Sequence, residues 1–148
     1  MKTIATAAAL VLCAAGAQAG DHRFGPANAT YRAECGSCHV AYPPQLLSAV
    51  SWKALLAGLD KHFGSDASVE AAAMKQIGDY LARNARTPRN GEGIPLRITE
   101  TRWFVREHDE VPAATWAGSA VKSRANCGAC HTQADNLDFG ERSLRVPK

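Results

Sequence analysis

The sequence has no cysteine to spare for a structural disulfide. Of its five cysteines, four form two C-x-x-C pairs, at 35/38 and 127/130, and Cys13 lies in the apolar N-terminal stretch. Methionine is just as scarce, since Met74 is the only one beyond residue 19. Cross-links between distant loops are therefore excluded, and a thioether ligand could come only from Met74.

Long apolar runs are also missing. The apolar stretch 4–15 is shorter than the roughly 20 residues that a membrane helix needs. It follows Lys2 and precedes A-Q-A at 17–19, which is the pattern of a cleaved secretory signal. Leu12, directly before Cys13, stands where a lipoprotein signal has a small residue, so we expect no lipid anchor. We predict a signal peptide over 1–19 and a soluble mature chain in the periplasm, without a membrane span.

A strong excess of charge is absent as well. Lys and Arg number 17 against 14 Asp and Glu, a formal net charge of +3. No block of basic residues follows the signal, so neither the balance nor its distribution indicates a nucleic-acid partner.

Two copies of C-x-x-C-H stand out instead, CGSCH at 35–39 and CGACH at 127–131. This pattern attaches a c-type haem. Its two thiols add to the two vinyl groups of one porphyrin, and the histidine supplies the proximal ligand of the iron. The motifs predict two covalently bound haem c groups, with the residues Cys35, Cys38 and His39 for the first and Cys127, Cys130 and His131 for the second.

Three other interpretations of these cysteines fit less well. Zinc ribbons place their C-x-x-C knuckles roughly 15–20 residues apart, far closer than the pairs here. A thioredoxin-like redox pair would occur once, beside a β-α-β pattern that this sequence does not show. Structural disulfides would not need a histidine after each pair.

The first half predicts three helices. A short helix over 29–35 runs into the first motif, after a loose arm at 21–29. Ser51 is a candidate N-cap for a helix that ends at Gly64, and Ser65 or Asp66 for one that runs to about Ala85. Between the first and second of these helices, the two prolines after Tyr42 predict an extended segment. This segment could offer a backbone carbonyl to the Nδ1 of His39.

The second half is less regular. Thr99 is a candidate cap for a helix over 100–109, and a short helical turn is expected around Trp116. The tail at 132–148 has little periodicity. The segment 88–95, rich in proline and glycine, is the best linker. We therefore predict a mainly α fold with much coil, made of two small haem-binding lobes, 20–87 and 96–148, that pack together across their haems.

Each iron has a second axial position to fill, and few residues can fill it. His62 lies beside an apolar helical stripe, and His108 follows Trp103 and Phe104. A partly buried core histidine and an exposed helix-end histidine are the ordinary alternatives. We predict that His62 pairs with His39 and His108 with His131; a crossed pairing stays open. His22, almost at the mature N-terminus, and Met74, in mid-helix, are weaker candidates.

Four stretches carry a family resemblance: ECGSCHVAYPPQLL at 34–47, WKALLAGLDKHFGSDA at 52–67, RITETRWFVREHDEVP at 97–112 and ANCGACHT at 125–132. Together they resemble the small periplasmic dihaem cytochromes c of proteobacteria. The resemblance implies low-spin haems with two histidine ligands each, with His62 and His108 in the distal positions. The first half also looks like a modified class I cytochrome c, whose last helix is similar to QIGDYLAR at 76–83.

The resemblance implies an electron-transfer protein rather than an enzyme. Two histidines on each iron would leave only outer-sphere electron transfer. A dihaem peroxidase or a gas-binding cytochrome with one open iron is the alternative. Redox proteins are the expected partners, and family members suggest an oxygen-binding monohaem cytochrome c or a membrane b-type cytochrome.

Overall fold

The computed structural model describes residues 23–147. The predicted signal peptide, Cys13 and His22 therefore lie outside the described residues. Within them the fold is mostly helical with much coil, and β-structure is limited to isolated bridges. The α-helices are α1 (Ala29–Cys35), α2 (Ala49–Leu56), α3 (Ala71–Asn84), α4 (Arg102–Glu107) and α5 (Ala113–Ala117). Short 3₁₀ turns lie at Pro44–Leu46, Leu59–Lys61, Ile98–Glu100, Cys127–Ala129, Ala134–Asn136 and Glu141–Ser143.

Helix α1 has the predicted bounds, and its cap explains its start. The Asn28 side chain accepts a hydrogen bond from the backbone N–H of Tyr31, which satisfies a donor that the first turn leaves unpaired. The helix ends at Cys35, and Gly36 follows as its C-cap. A Cβ at Gly36 would collide with the carbonyl oxygen of Arg32. The glycine of the CGSCH motif is therefore required by the end of this helix.

Helices α2 and α3 start elsewhere than predicted. Ser48, not Ser51, caps α2 by accepting from the Ser51 N–H, and Ser51 is buried inside the helix. The helix ends at Leu56, and the 3₁₀ turn Leu59–Lys61 follows it before Gly64. Asp66 uses its carboxylate to accept from Ser68, which makes a local turn rather than a cap. Helix α3 therefore starts only at Ala71, although its end agrees with the prediction.

The second half differs from the prediction in the N-cap of one helix. Thr101, not Thr99, caps α4 by accepting from the Phe104 N–H at 3.1 Å. Thr99 lies within the preceding 3₁₀ turn, so its backbone is already used there. Helix α5 is the expected short helical element around Trp116, and the tail contains only 3₁₀ turns.

One hydrophobic core joins residues from both halves of the chain. From the first half it contains Tyr31, Leu47, Trp52, Ile77 and Leu81, and from the second half Ile98 and Phe104. The two halves therefore pack together through these side chains, and their packing across the haems stays a prediction. Removing these side chains from water supplies most of the favourable free energy of folding.

The N-terminal arm is not loose where the structure describes it. The Phe24 N–H donates to the Leu137 carbonyl at 3.0 Å, and the Phe24 ring meets the Phe139 ring edge-on at 5.9 Å. Arg23 forms an ion pair with Asp138 at 2.9 Å. The beginning of the first half is thus fastened to the tail of the second, which corrects the prediction of a free arm.

Candidate haem-binding sites

The first motif starts at the end of helix α1. Cys35 is the last helical residue and is partly buried, whereas Cys38 and His39 are exposed. Burial, with a smaller contribution from Glu34, raises the pKa of the Cys35 thiol to about 11. Before haem attachment the thiol is therefore protonated at neutral pH.

A backbone carbonyl orients His39. Its Nδ1 lies 2.8 Å from the carbonyl oxygen of Val40, which belongs to the extended segment expected to provide this contact. A carbonyl oxygen can only accept, so Nδ1 carries the proton and Nε2 keeps its lone pair. The Tyr42 ring stacks on the His39 ring, with 4.8 Å between the ring centres and 22° between the ring planes. His39 is therefore set in the tautomer that binds a metal through Nε2.

His62 faces His39. The two ring centres are 6.3 Å apart and the ring planes differ by 25°. His62 ends the 3₁₀ turn Leu59–Lys61, and the chain then turns sharply through Phe63 and Gly64, whose φ angles are 49° and 99°. Burial lowers the pKa of His62, and the nearby His39 and Arg97 lower it further. The imidazole is therefore more easily kept neutral, which is the form that binds a metal.

The second motif forms a 3₁₀ turn. Its Cys127 carbonyl accepts from the Cys130 N–H at 3.2 Å and from the His131 N–H at 2.8 Å. Burial raises the pKa of Cys127 to about 11, against a lowering by a backbone hydrogen bond, and burial also raises the pKa of Cys130. The Phe139 ring lies 5.3 Å from the His131 ring.

His108 lies opposite His131 at a similar distance but with a different ring orientation. It follows helix α4, and its Nδ1 lies 2.9 Å from the Phe104 carbonyl oxygen, so its Nε2 also keeps the lone pair. The Phe104 ring stacks on it at 4.1 Å and Trp116 lies 5.9 Å away. Its ring centre is 6.2 Å from that of His131, with 75° between the planes.

Both histidine pairs have the spacing of two ligands on one iron. A metal–imidazole bond of about 2 Å on each side, plus about 1.1 Å from each nitrogen to its ring centre, separates two opposed ring centres by about 6 Å. The observed 6.3 and 6.2 Å agree with that value. These residues therefore fit a haem, and the structure brings together the local pairs rather than the crossed ones.

Of the two weaker candidates, Met74 lies within the described residues and His22 does not. Met74 is a partly buried residue of helix α3. Within residues 23–147, no three Cys, His, Asp or Glu side chains gather in a cluster that could hold a metal ion.

Sequence reasoning missed several contacts around the histidines. The Tyr42 ring on His39, the Phe139 ring beside His131 and the Trp116 ring beside His108 were not assigned a role. Arg97 places its guanidinium carbon 3.8 Å from the centre of the Phe63 ring. The aromatic residues near each motif were the available signal, but their direction depends on the fold.

Two haem-attachment motifs in a small helical fold define a cytochrome of the c type. The family model of the dihaem cytochromes c matches residues 31–139. The chain belongs to this family, and it carries two covalently bound haem c groups. None of the curated proteins matches it.

Solved structures are similar over most of the chain. The dihaem cytochrome c of Shewanella baltica is 40% identical with a TM-score of 0.72, over 82% of this chain and 94% of that one. A dihaem cytochrome c purified from Rhodobacter sphaeroides is 44% identical with a TM-score of 0.68, over 78% of this chain and all of that one. Across residues 23–147, no helix has the length and apolarity needed to cross a membrane.

Proposed function

We propose that this protein is a periplasmic electron carrier, in which each haem iron is bound by two histidines. His39 and His62 would hold the first iron, and His131 and His108 the second. The four cysteines Cys35, Cys38, Cys127 and Cys130 would form the thioether links. The observation that supports this assignment best is the spacing of the two ring pairs, 6.3 and 6.2 Å between centres.

The bound haems supply one-electron chemistry between ferric and ferrous iron. The residues that bind each iron determine which reactions are open to it. With an imidazole on both faces, no coordination position is left for a substrate, so outer-sphere electron transfer is the remaining activity. Histidine in place of methionine as the second ligand also favours a lower reduction potential. The protein is therefore proposed to be a carrier and not an enzyme.

The location and partners follow from the same proposal. The signal pattern at 1–19 supports export to the periplasm, where c-type haems are attached. Partners would be redox proteins that dock through small, short-lived interfaces. The family resemblance suggests an oxygen-binding monohaem cytochrome c or a membrane b-type cytochrome.

The absorption spectrum of the purified protein tests this proposal against an open-iron enzyme. We expect low-spin spectra in both oxidation states, with two haems per chain, and no change when carbon monoxide is added to the reduced protein at neutral pH. A high-spin band, or binding of carbon monoxide to one haem, would instead favour a peroxidase or a gas-binding cytochrome.

A further inference from the structure

We propose that Tyr42 is a positioning residue that fixes the first haem site against the second and so sets the rate of electron exchange between them. This inference rests on the proposed function, because exchange matters only if both haems carry electrons. It concerns one side chain that contacts both sites, through its ring on one side and through its hydroxyl on the other.

The ring of Tyr42 belongs to the first site. It lies 4.8 Å from the His39 ring, nearly parallel to it, on a histidine whose Nδ1 is already held by the next residue's carbonyl. The phenol therefore limits both the tilt and the sideways movement of the proximal ligand.

The hydroxyl of Tyr42 belongs to the second site. It donates to the Ala125 carbonyl oxygen at 2.7 Å, a contact between residues 83 positions apart. Ala125 stands two residues before Cys127, the first attachment cysteine of the other haem. Tyr42 therefore joins the ring contact on His39 to the segment that leads into the second haem motif.

Both ends of this link are anchored. The Tyr31 hydroxyl donates to the carbonyl oxygen of Tyr42 at 2.6 Å, and Pro43 is fully buried. At the other end, the Ala125 N–H donates to Ser123 Oγ at 3.1 Å, and the Asn126 side chain donates to the Val121 carbonyl at 3.0 Å. Because neither segment can drift alone, the Tyr42 bond transmits the position of one site to the other.

Exchange between the sites moves a single electron. One iron goes from ferrous to ferric while the other goes from ferric to ferrous, and no proton or other group is transferred. The rate of such a step falls steeply as the separation grows or varies. A residue that fixes the separation therefore controls the rate without touching either iron.

The Tyr42→Phe variant of the full-length holoprotein tests this role, because it keeps the ring on His39 and removes only the bond to Ala125. Pulsed electron paramagnetic resonance measures the separation of the two ferric irons, and NMR exchange spectroscopy on the half-reduced protein measures the exchange rate. We expect a longer or broader distribution of separations and a severalfold slower exchange, while both haems stay low-spin.

Tyr80→Phe is the matched control. It removes another phenol hydroxyl from the same half of the molecule, and this hydroxyl interacts with the backbone of Asn28 and not with the second site. We expect a similar loss of thermal stability in the two variants but no change in separation or exchange rate in Tyr80→Phe. This comparison distinguishes positioning from a general structural role.

If Tyr42→Phe does not assemble with two haems, Ala125→Gly takes its place, because glycine makes the backbone that carries the acceptor carbonyl more flexible. We then expect smaller changes in the iron separation and the exchange rate, in the same direction. Unchanged separation and exchange in the variant that assembles would overturn the role of Tyr42. The wild-type spectrum judges the proposed function separately: carbon monoxide binding would defeat that function whatever Tyr42→Phe shows.

Discussion

At the scale of single residues, three of the four proposed histidine ligands are oriented or kept neutral by groups outside the proposed metal sites. The Val40 and Phe104 carbonyls fix the tautomers of His39 and His108. Burial and neighbouring charge lower the pKa of His62. A neutral imidazole with a free Nε2 is the ligand that haem iron requires, so these contacts reduce the cost of ligation.

Removing a distal histidine should open one haem only. In His62→Ala and in His108→Ala, we expect half of the haem absorbance to become high-spin, because the replacement methyl group cannot reach the iron. Magnetic circular dichroism at neutral pH measures the fraction. His22→Ala is the matched control and should leave both haems low-spin. If both distal variants remained fully low-spin, other side chains would be the ligands.

The haem motifs, with His39 and His131, could be identified from the sequence because covalent attachment imposes a fixed local spacing. His62 and His108 were predicted from the few histidines that remain and from the family resemblance, and their ligation stays a prediction. Tyr42 could not be assigned its role in the same way. Its partner Ala125 is distant in the chain, and a backbone carbonyl has no sequence signature. The same holds for the contact of Phe24 with Phe139.

At the scale of elements, the segment 88–95 is more than a spacer. Arg86, just beyond helix α3, forms a two-pronged ion pair with Glu92, and both side chains are less than one-fifth exposed. Glu92 also accepts from the Arg89 N–H at 2.9 Å. The pairing with Arg86 lowers the pKa of Glu92 to about 2 from an ordinary 4.5. The ion pair thus fixes how the chain leaves the first half.

We predict that Glu92→Gln lowers the free energy of unfolding by about 1–2 kcal/mol at neutral pH, since solvent partly screens the pair. A lowered carboxyl pKa stabilises the fold above the unfolded value and loses that effect as the pH falls from about 4.5 to 2. Chemical unfolding at several pH values should therefore show the difference from wild type shrinking across this window. Glu141→Gln, at an exposed position, is the control. A difference that is independent of pH would contradict the role of this ion pair.

Element boundaries show where sequence reasoning stops. Ser48 and Ser51 are both good caps, as are Thr99 and Thr101, and local propensity cannot choose between equal candidates two or three residues apart. In the folded chain, Ser48 and Ser51 are both buried and bonded to each other, and Thr101 is 4% exposed with its hydroxyl bonded to the Ile98 carbonyl. The existence of the helices was predictable, and their starts depended on the core.

At the scale of the whole molecule, the two haem sites are similar in spacing but different in orientation. The planes of His39 and His62 differ by 25°, whereas those of His108 and His131 differ by 75°. The surroundings that set these angles also differ. His39 is held between the Val40 carbonyl and the Tyr42 ring, and His108 is held against Phe104.

This difference should be visible in the ferric protein. Nearly parallel imidazole planes separate the energies of the two iron d orbitals that interact with the imidazole π systems. Nearly perpendicular planes leave these two orbitals close in energy. We therefore expect two low-spin signals in the electron paramagnetic resonance spectrum, with the larger maximum g value from the second site. His108→Ala should abolish the signal with the larger g and His62→Ala the other one. Two identical low-spin signals in the wild type, or loss of the wrong signal in either variant, would show that the ring orientations do not differ in this way.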